Sequence, residues 1–289
     1  MALCDDVRAH CALIAGSARS VTIDVAALSG LAEAPAATLD PAIHYLEGPR
    51  EAVARYLLTL DAINFGSGWF PMLRKRPGCS GYTTVAAMLG DRFRADGPWS
   101  NTELRSLDTG TIAATLGQSP DFELMALYAE ALRALGRWLG ERSTLDVIDE
   151  SPSAEGLATR LASAMPLFDD RGFYKRAQIV PADLALAGVA AFEDLDRLTI
   201  FADNLVPHVL RCDGVLIYEP RLAAHIDAER PLRPGPQERE IRACAVHACE
   251  LLSARLGVAP RVLDNWLWNR GQSPRYKALP RHRCRCVYY

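Results

Sequence analysis

Apolar residues recur three and four positions apart through most of this chain, and that period limits its fold more than any other feature. Val53, Tyr56, Leu57, Leu60 and Ile63 make one such stripe. Leu124, Leu127, Tyr128, Leu135 and Trp138 make a second, and Ile241, Cys244, Ala248, Leu251 and Leu252 a third. Start signals accompany them. Pro49 and Pro236 are first-turn prolines, Ser80 or Gly81 opens a helix, and Ser100–Glu103 has capping-box spacing. Ser151-Pro152 opens another helix, which Pro166 ends. Further helical segments are expected over 1–20, 109–116, 120–139, 219–229 and 259–269. Only 21–25 and the tail from Arg281 to Tyr289 alternate as extended chain would, and the tail, ending in Val-Tyr-Tyr, should pack back onto the body. We therefore expect a mainly α, compact multi-helix fold with few short extended segments. One domain over 1–289 suffices, with room for two lobes around a central pocket.

The bulk properties narrow the function. A net charge of −3 on 289 residues speaks against a grip on long duplex nucleic acid. No apolar run of about 18 residues occurs, so no membrane partner is expected. The first ten residues carry Asp5 and Asp6 and lack a signal-peptide pattern. Eight scattered cysteines without a Cys-x-x-Cys pair then read as reduced thiols of a cytoplasmic protein. Cys244, His247 and Cys249 suggest a metal site only if the segment is irregular. On a helix the two cysteines stand about 140° apart, so no metal is expected.

Three places stand out against that background. In Leu198–Arg211, Asp203 sits inside an apolar run with Phe201, Ala202, Leu205 and Val206 around it. Pro207 fits the first turn of a following helix, so Asp203 falls in a break between ordered segments. It can cap that helix, or it can face a pocket. Residues 64–71 hold Phe65, Trp69 and Phe70 with two glycines. They form either a core plug or a wall for a flat ring, with Asp61 or Asn64 reading polar edges. Lys175 and Arg176 follow Phe173 and Tyr174, as the start of an amphipathic helix or as an anion grip.

Four segments taken together carry a resemblance. They are Leu-Asp-Ala-Ile-Asn-Phe at 60–65, Phe-Tyr-Lys-Arg-Ala-Gln-Ile at 173–179, Phe-Ala-Asp-Asn-Leu-Val-Pro at 201–207, and Trp-Leu-Trp at 266–268 with the Arg-His-Arg-Cys-Arg tail. In this order they resemble the queuosine salvage family, from about residue 40 onward. The resemblance implies a fold similar to helical DNA glycosylases and a nucleotide N-glycosidase that needs no cofactor. Its substrate would be queuosine 5′-monophosphate and its product queuine, for reuse in tRNA. Asp203 would then stabilise the sugar cation and align water. Asp61, Asn64 and Asp264 would contact the leaving ring, with Phe65, Trp69 or Trp266 stacking. Lys175 would hold the phosphate, with His44, Lys277, His282 and Arg283 as further candidates. Phe201, Asn204 and His208 would adjoin the substrate beside Asp203. Asn204, Leu205 and His208 depart from the residues usual in animal members of the family. We expect a monomer whose partner is a small nucleotide. Two other readings remain open: a helical glycosylase acting on a base flipped out of DNA or RNA, and a nucleotide-binding module without catalysis.

Overall fold

The computed structural model describes residues 2–32 and 34–289, and the described chain is mainly α-helical. The first half contains α1 (Leu3–Ser17), α2 (Arg50–Ala62), α3 (Gly81–Asp96), α4 (Asn101–Ser106), α5 (Thr109–Thr115), α6 (Glu123–Leu139) and α7 (Thr144–Asp149). The second contains α8 (Ala154–Ala164), α9 (Lys175–Leu186), α10 (Val206–Cys212), α11 (Pro220–Asp227), α12 (Pro236–Leu256), α13 (Pro260–Arg270) and α14 (Pro274–Lys277). One small antiparallel pair joins β1 (Val21–Ile23) to β2 (Leu216–Tyr218), with Val21 opposite Tyr218. No helix among the described residues is long and apolar enough to cross a membrane.

Two helices set the centre. Every residue of α2 from Ala52 to Ala62 is buried, because α3, α6, α7 and α9 surround it. Such a helix is apolar on all sides except where a polar group has a use. Arg55 spends its guanidinium on Thr144 and Asn101. Asp61, one residue from the helix end, has no such partner. The second central helix is α9, buried from Lys175 to Leu184 against α2 and α8. Around this pair, α12 packs on α1, and α10 and α13 pack on each other.

Several boundaries differ from the sequence expectation, each for a local reason. Ser153, not Ser151, caps α8 through the Gly156 N–H. The chain turns at 120–122, and α6 begins at Glu123. Helix α7 has too few turns to show a period. Its exposed amides are taken by Glu51 of α2, which accepts from Thr144 N–H and Leu145 N–H at 2.8 and 2.9 Å. That partner lies about ninety positions away in the chain, so no local pattern announces it.

The tail does pack back. Tyr289 is buried, and its carbonyl accepts from Gly66 N–H at 3.0 Å and Ser67 N–H at 3.4 Å. Leu232 forms a parallel bridge with Cys284. Gly68 permits this approach, because a Cβ there would stand 2.4 Å from the Cys284 carbonyl oxygen. Gly66 adopts φ +114, which L side chains rarely adopt.

Candidate functional site

A cavity of about 490 Å³ opens among α2's C-terminal turn, α3, α9, the 198–205 segment, α13 and the tail. Asp203 lines it. Its Oδ1 accepts from Leu205 N–H at 2.7 Å and Val206 N–H at 3.1 Å. Those two bonds cap the entry to α10, where Pro207 occupies the first turn. Oδ2 makes no hydrogen bond among the described residues. One oxygen thus orients the side chain and the other is left for a ligand.

Lys175 opens α9 and is buried. The residue before it, Tyr174, is held in the left-handed region at φ 49. The Asp170 carbonyl accepts from both Phe173 N–H and Tyr174 N–H, which fixes that turn. Lys175 Nζ donates to the Asn64 carbonyl at 2.9 Å and to Asn64 Oδ1 at 3.1 Å. Burial lowers its pKa to about 8, and the charge of Asp203 works against that shift. Asp264 on α13 accepts from Phe201 N–H at 2.8 Å. Burial first, and then the negative charge of Asp203, raise its carboxyl to about 8. Near neutral pH Asp264 is therefore a proton donor beside the Asp203 charge.

A second acidic pair lies further along α9. Asp183 lines the cavity and accepts no side-chain hydrogen bond among the described residues. Burial raises its carboxyl to about 7, with Lys175 opposing. Against it stands Asp61, fully buried, with neither oxygen hydrogen-bonded. Burial and then the Asp183 charge hold Asp61 well above the usual carboxylate range; the Asn64 amide tempers this without reaching hydrogen-bond geometry. Tyr82 of α3 faces the same pair, and its hydroxyl pairs with His44 Nε2 at 3.0 Å. His44 Nδ1 is 2.9 Å from the Asp40 carbonyl. The Tyr82 ring meets the Trp268 ring edge-on at 5.5 Å between centroids.

The C-terminal part of the cavity lining is basic, with Lys277, Arg281 and Arg283. Arg281 has no carboxylate or hydrogen-bond partner among the described residues. Burial lowers its pKa, and the nearby Asp203 charge raises it. A buried ion pair lies behind the wall. Arg242 of α12 holds Asp170 through both terminal nitrogens, at 3.1 and 2.5 Å. Its Nε donates to the Ala202 carbonyl at 2.9 Å. Asp170 in turn receives Lys175 N–H at 3.4 Å. The pair therefore ties the start of α9 to the residue before Asp203.

Residues 43–289 match the queuosine salvage protein family. The chain belongs to that family. It is 36% identical to a queuosine 5′-phosphate N-glycosylase/hydrolase of Sphaerobacter thermophilus, over 94% of each chain. A mouse protein of the same description is 33% identical over 47% of this chain and 48% of its own. One from Dictyostelium discoideum is 36% identical over 40% of each.

In this member of the family, the cavity brings together His44, Asn64, Phe65, Lys175, Phe201, Asp203, Asn204, Asp264, Lys277 and Arg283. Phe65 is packed against Tyr128 and under the Arg176 guanidinium. Asn204 also holds the His282 carbonyl. Asp61 sits behind the lining. Trp69, Trp266, His208 and His282 do not line the cavity. Trp69 donates to Glu123 at 2.8 Å, and His208 Nε2 lies 2.8 Å from the Tyr276 carbonyl. His282 is buried with both ring nitrogens unpartnered, and burial lowers its pKa to about 3. The sequence reading gave no site role to Asp183, Tyr82, Trp268 or Arg281, although Trp268 and Arg281 lie in the segment that carried the resemblance. Helical spacing offered two of them. Trp268 is one turn from Asp264, whereas Trp266 faces away, and Asp183 is two turns from Lys175. Arg281 had no signal beyond its place in a basic tail.

Proposed function

We propose that this protein hydrolyses the N-glycosidic bond of queuosine 5′-phosphate, giving queuine and ribose 5-phosphate, within a fold similar to helical DNA glycosylases. The observation that carries this reading is a carboxylate with one free oxygen, Asp203, sharing a cavity with a guanidinium, Arg281, that has no partner among the described residues. Breaking the bond leaves positive charge on the anomeric carbon and moves an electron pair onto the ring. Asp203 Oδ2 stabilises the first and takes a proton from the attacking water. Asp264, protonated at neutral pH, returns a proton to the departing ring. A 7-deaza ring has no N7 to accept it, so the proton goes to another ring acceptor. Lys175 stands among Asp203, Asp61 and Asp264 with two of its three donors on Asn64. Its work there is to balance the carboxylates, which leaves the phosphate to Arg281, Arg283 and Lys277.

Release of queuine from queuosine 5′-phosphate by the purified protein tests the reading. Asp203→Asn keeps an oxygen for Leu205 and Val206 but loses the charge. It should fold normally and turn over at least about a hundredfold more slowly. Turnover within a fewfold of the parent would remove Asp203 from the chemistry. Arg281→Ala should raise KM for the nucleotide and spare the nucleoside.

A further inference from the structure

The acidic side of the cavity has no task in the steps above. Asp183 is 8% exposed and lines the cavity, and its carboxyl has no hydrogen-bond partner among the described residues. Asp61, fully buried, stands behind it with two orphaned oxygens. Buried carboxyls are ordinarily hydrogen-bonded, since desolvation without a partner is costly. Among the described residues no group reaches hydrogen-bond geometry with either carboxyl, although the Asn64 amide lies near Asp61 and the Lys175 charge acts on Asp183. The two donors that Lys175 spends on Asn64 point elsewhere. The hydroxyl of Tyr82 is also committed. With His44 Nδ1–H donating to the Asp40 carbonyl, Nε2 is an acceptor and takes the Tyr82 proton. What Tyr82 offers the cavity is a lone pair. This corner therefore presents carboxyl and phenolic oxygens and shares its lining with the Tyr82 and Trp268 rings.

We propose that Asp183, backed by Asp61, is the specificity residue for the base, taking N–H donors of the leaving group against its carboxyl. This deepens the glycosidase reading and rests on it for the identity of the ligand. Queuine carries such donors twice, in the ring N–H and amino group of its guanine-like edge and in the amine of its side chain. Either supplies the missing partner. A base with acceptors there finds a donor only in a carboxyl proton that the pair retains, so the corner favours donor-bearing bases.

Binding of free bases to the intact protein tests this without turnover. Calorimetric titration with queuine, 7-deazaguanine and ribose 5-phosphate compares the parent with Asp183→Asn. Queuine affinity should fall about 10- to 100-fold, the scale of a hydrogen bond to a charged group, while ribose 5-phosphate binds as before. If 7-deazaguanine loses equally, the ring edge is the donor; if only queuine loses, the side-chain amine is. Queuine affinity within twofold of the parent overturns the proposal, as does an equal loss for ribose 5-phosphate. Asp183→Ser repeats the comparison should the amide pack badly. Hydrolysis by the parent is read separately. A parent that binds queuine through Asp183 yet releases none from the nucleotide refutes the glycosidase and leaves the base site standing.

Discussion

Lys175 and Asp264 both carry protons that they lose near pH 8, one from an ammonium pushed down and one from a carboxyl pushed up. If Asp264 supplies the leaving ring's proton, kcat should fall as pH rises through about 8. A pH profile of Asp264→Asn should lose much of its rate below that pH and show a flatter alkaline limb. Asp183 makes a different prediction, about stability. Its folded-state pKa is raised to about 7. Between the ordinary carboxyl range and pH 7 the unfolded chain has released this proton and the folded chain has not. Raising pH through that window therefore destabilises the fold. Asp183→Asn removes the effect, so its melting temperature should exceed the parent's by several degrees at about pH 8 and match it at about pH 4. Asp203 was legible in the sequence because an acid within an apolar run is rare. Its double use was not, since capping and facing a cavity were posed as alternatives and the two oxygens of one carboxylate do both.

At the scale of elements, the periodic helices were readable and their contacts were not. The stripes of α2, α6 and α12 follow from spacing alone, whereas α7 exists because Glu51 completes its amides from another helix. The same limit hid Arg242, whose place beside Arg239 and Glu240 offers only local ion pairs along α12. It is instead almost fully buried between the rings of Phe173 and Tyr289, holding Asp170. Removing one member of such a pair strands the other charge, at a cost of about 3–5 kcal/mol. Asp170→Ala should lose stability on that scale in denaturant titration. Asp170→Asn keeps the shape and should lose less stability. Because Asp170 also fixes the turn before Lys175, it should still lower kcat more than it raises KM. Equal kinetics in the parent and Asp170→Asn would separate the ion pair from the site.

Over the whole molecule, the cavity draws its walls from residue 37 to residue 289, so it exists only when distant segments have met. Gly68→Ala tests the last of these meetings. Its methyl would collide with the Cys284 backbone, so both melting temperature and nucleotide affinity should drop as the Arg281 side pulls away. An unchanged KM would show that the tail docks without that approach. The way the tail is gripped has a consequence of its own. Asn204 binds the carbonyl of His282, Leu232 that of Arg283, Arg176 that of Val287, and Gly66 and Ser67 that of Tyr289. Each of these holds is on main-chain oxygen. The cavity-lining side chains of this strap, Arg281 and Arg283, take no part in these main-chain holds, so the basic wall can be rewritten for a different anion or a different sugar while its anchorage stays the same.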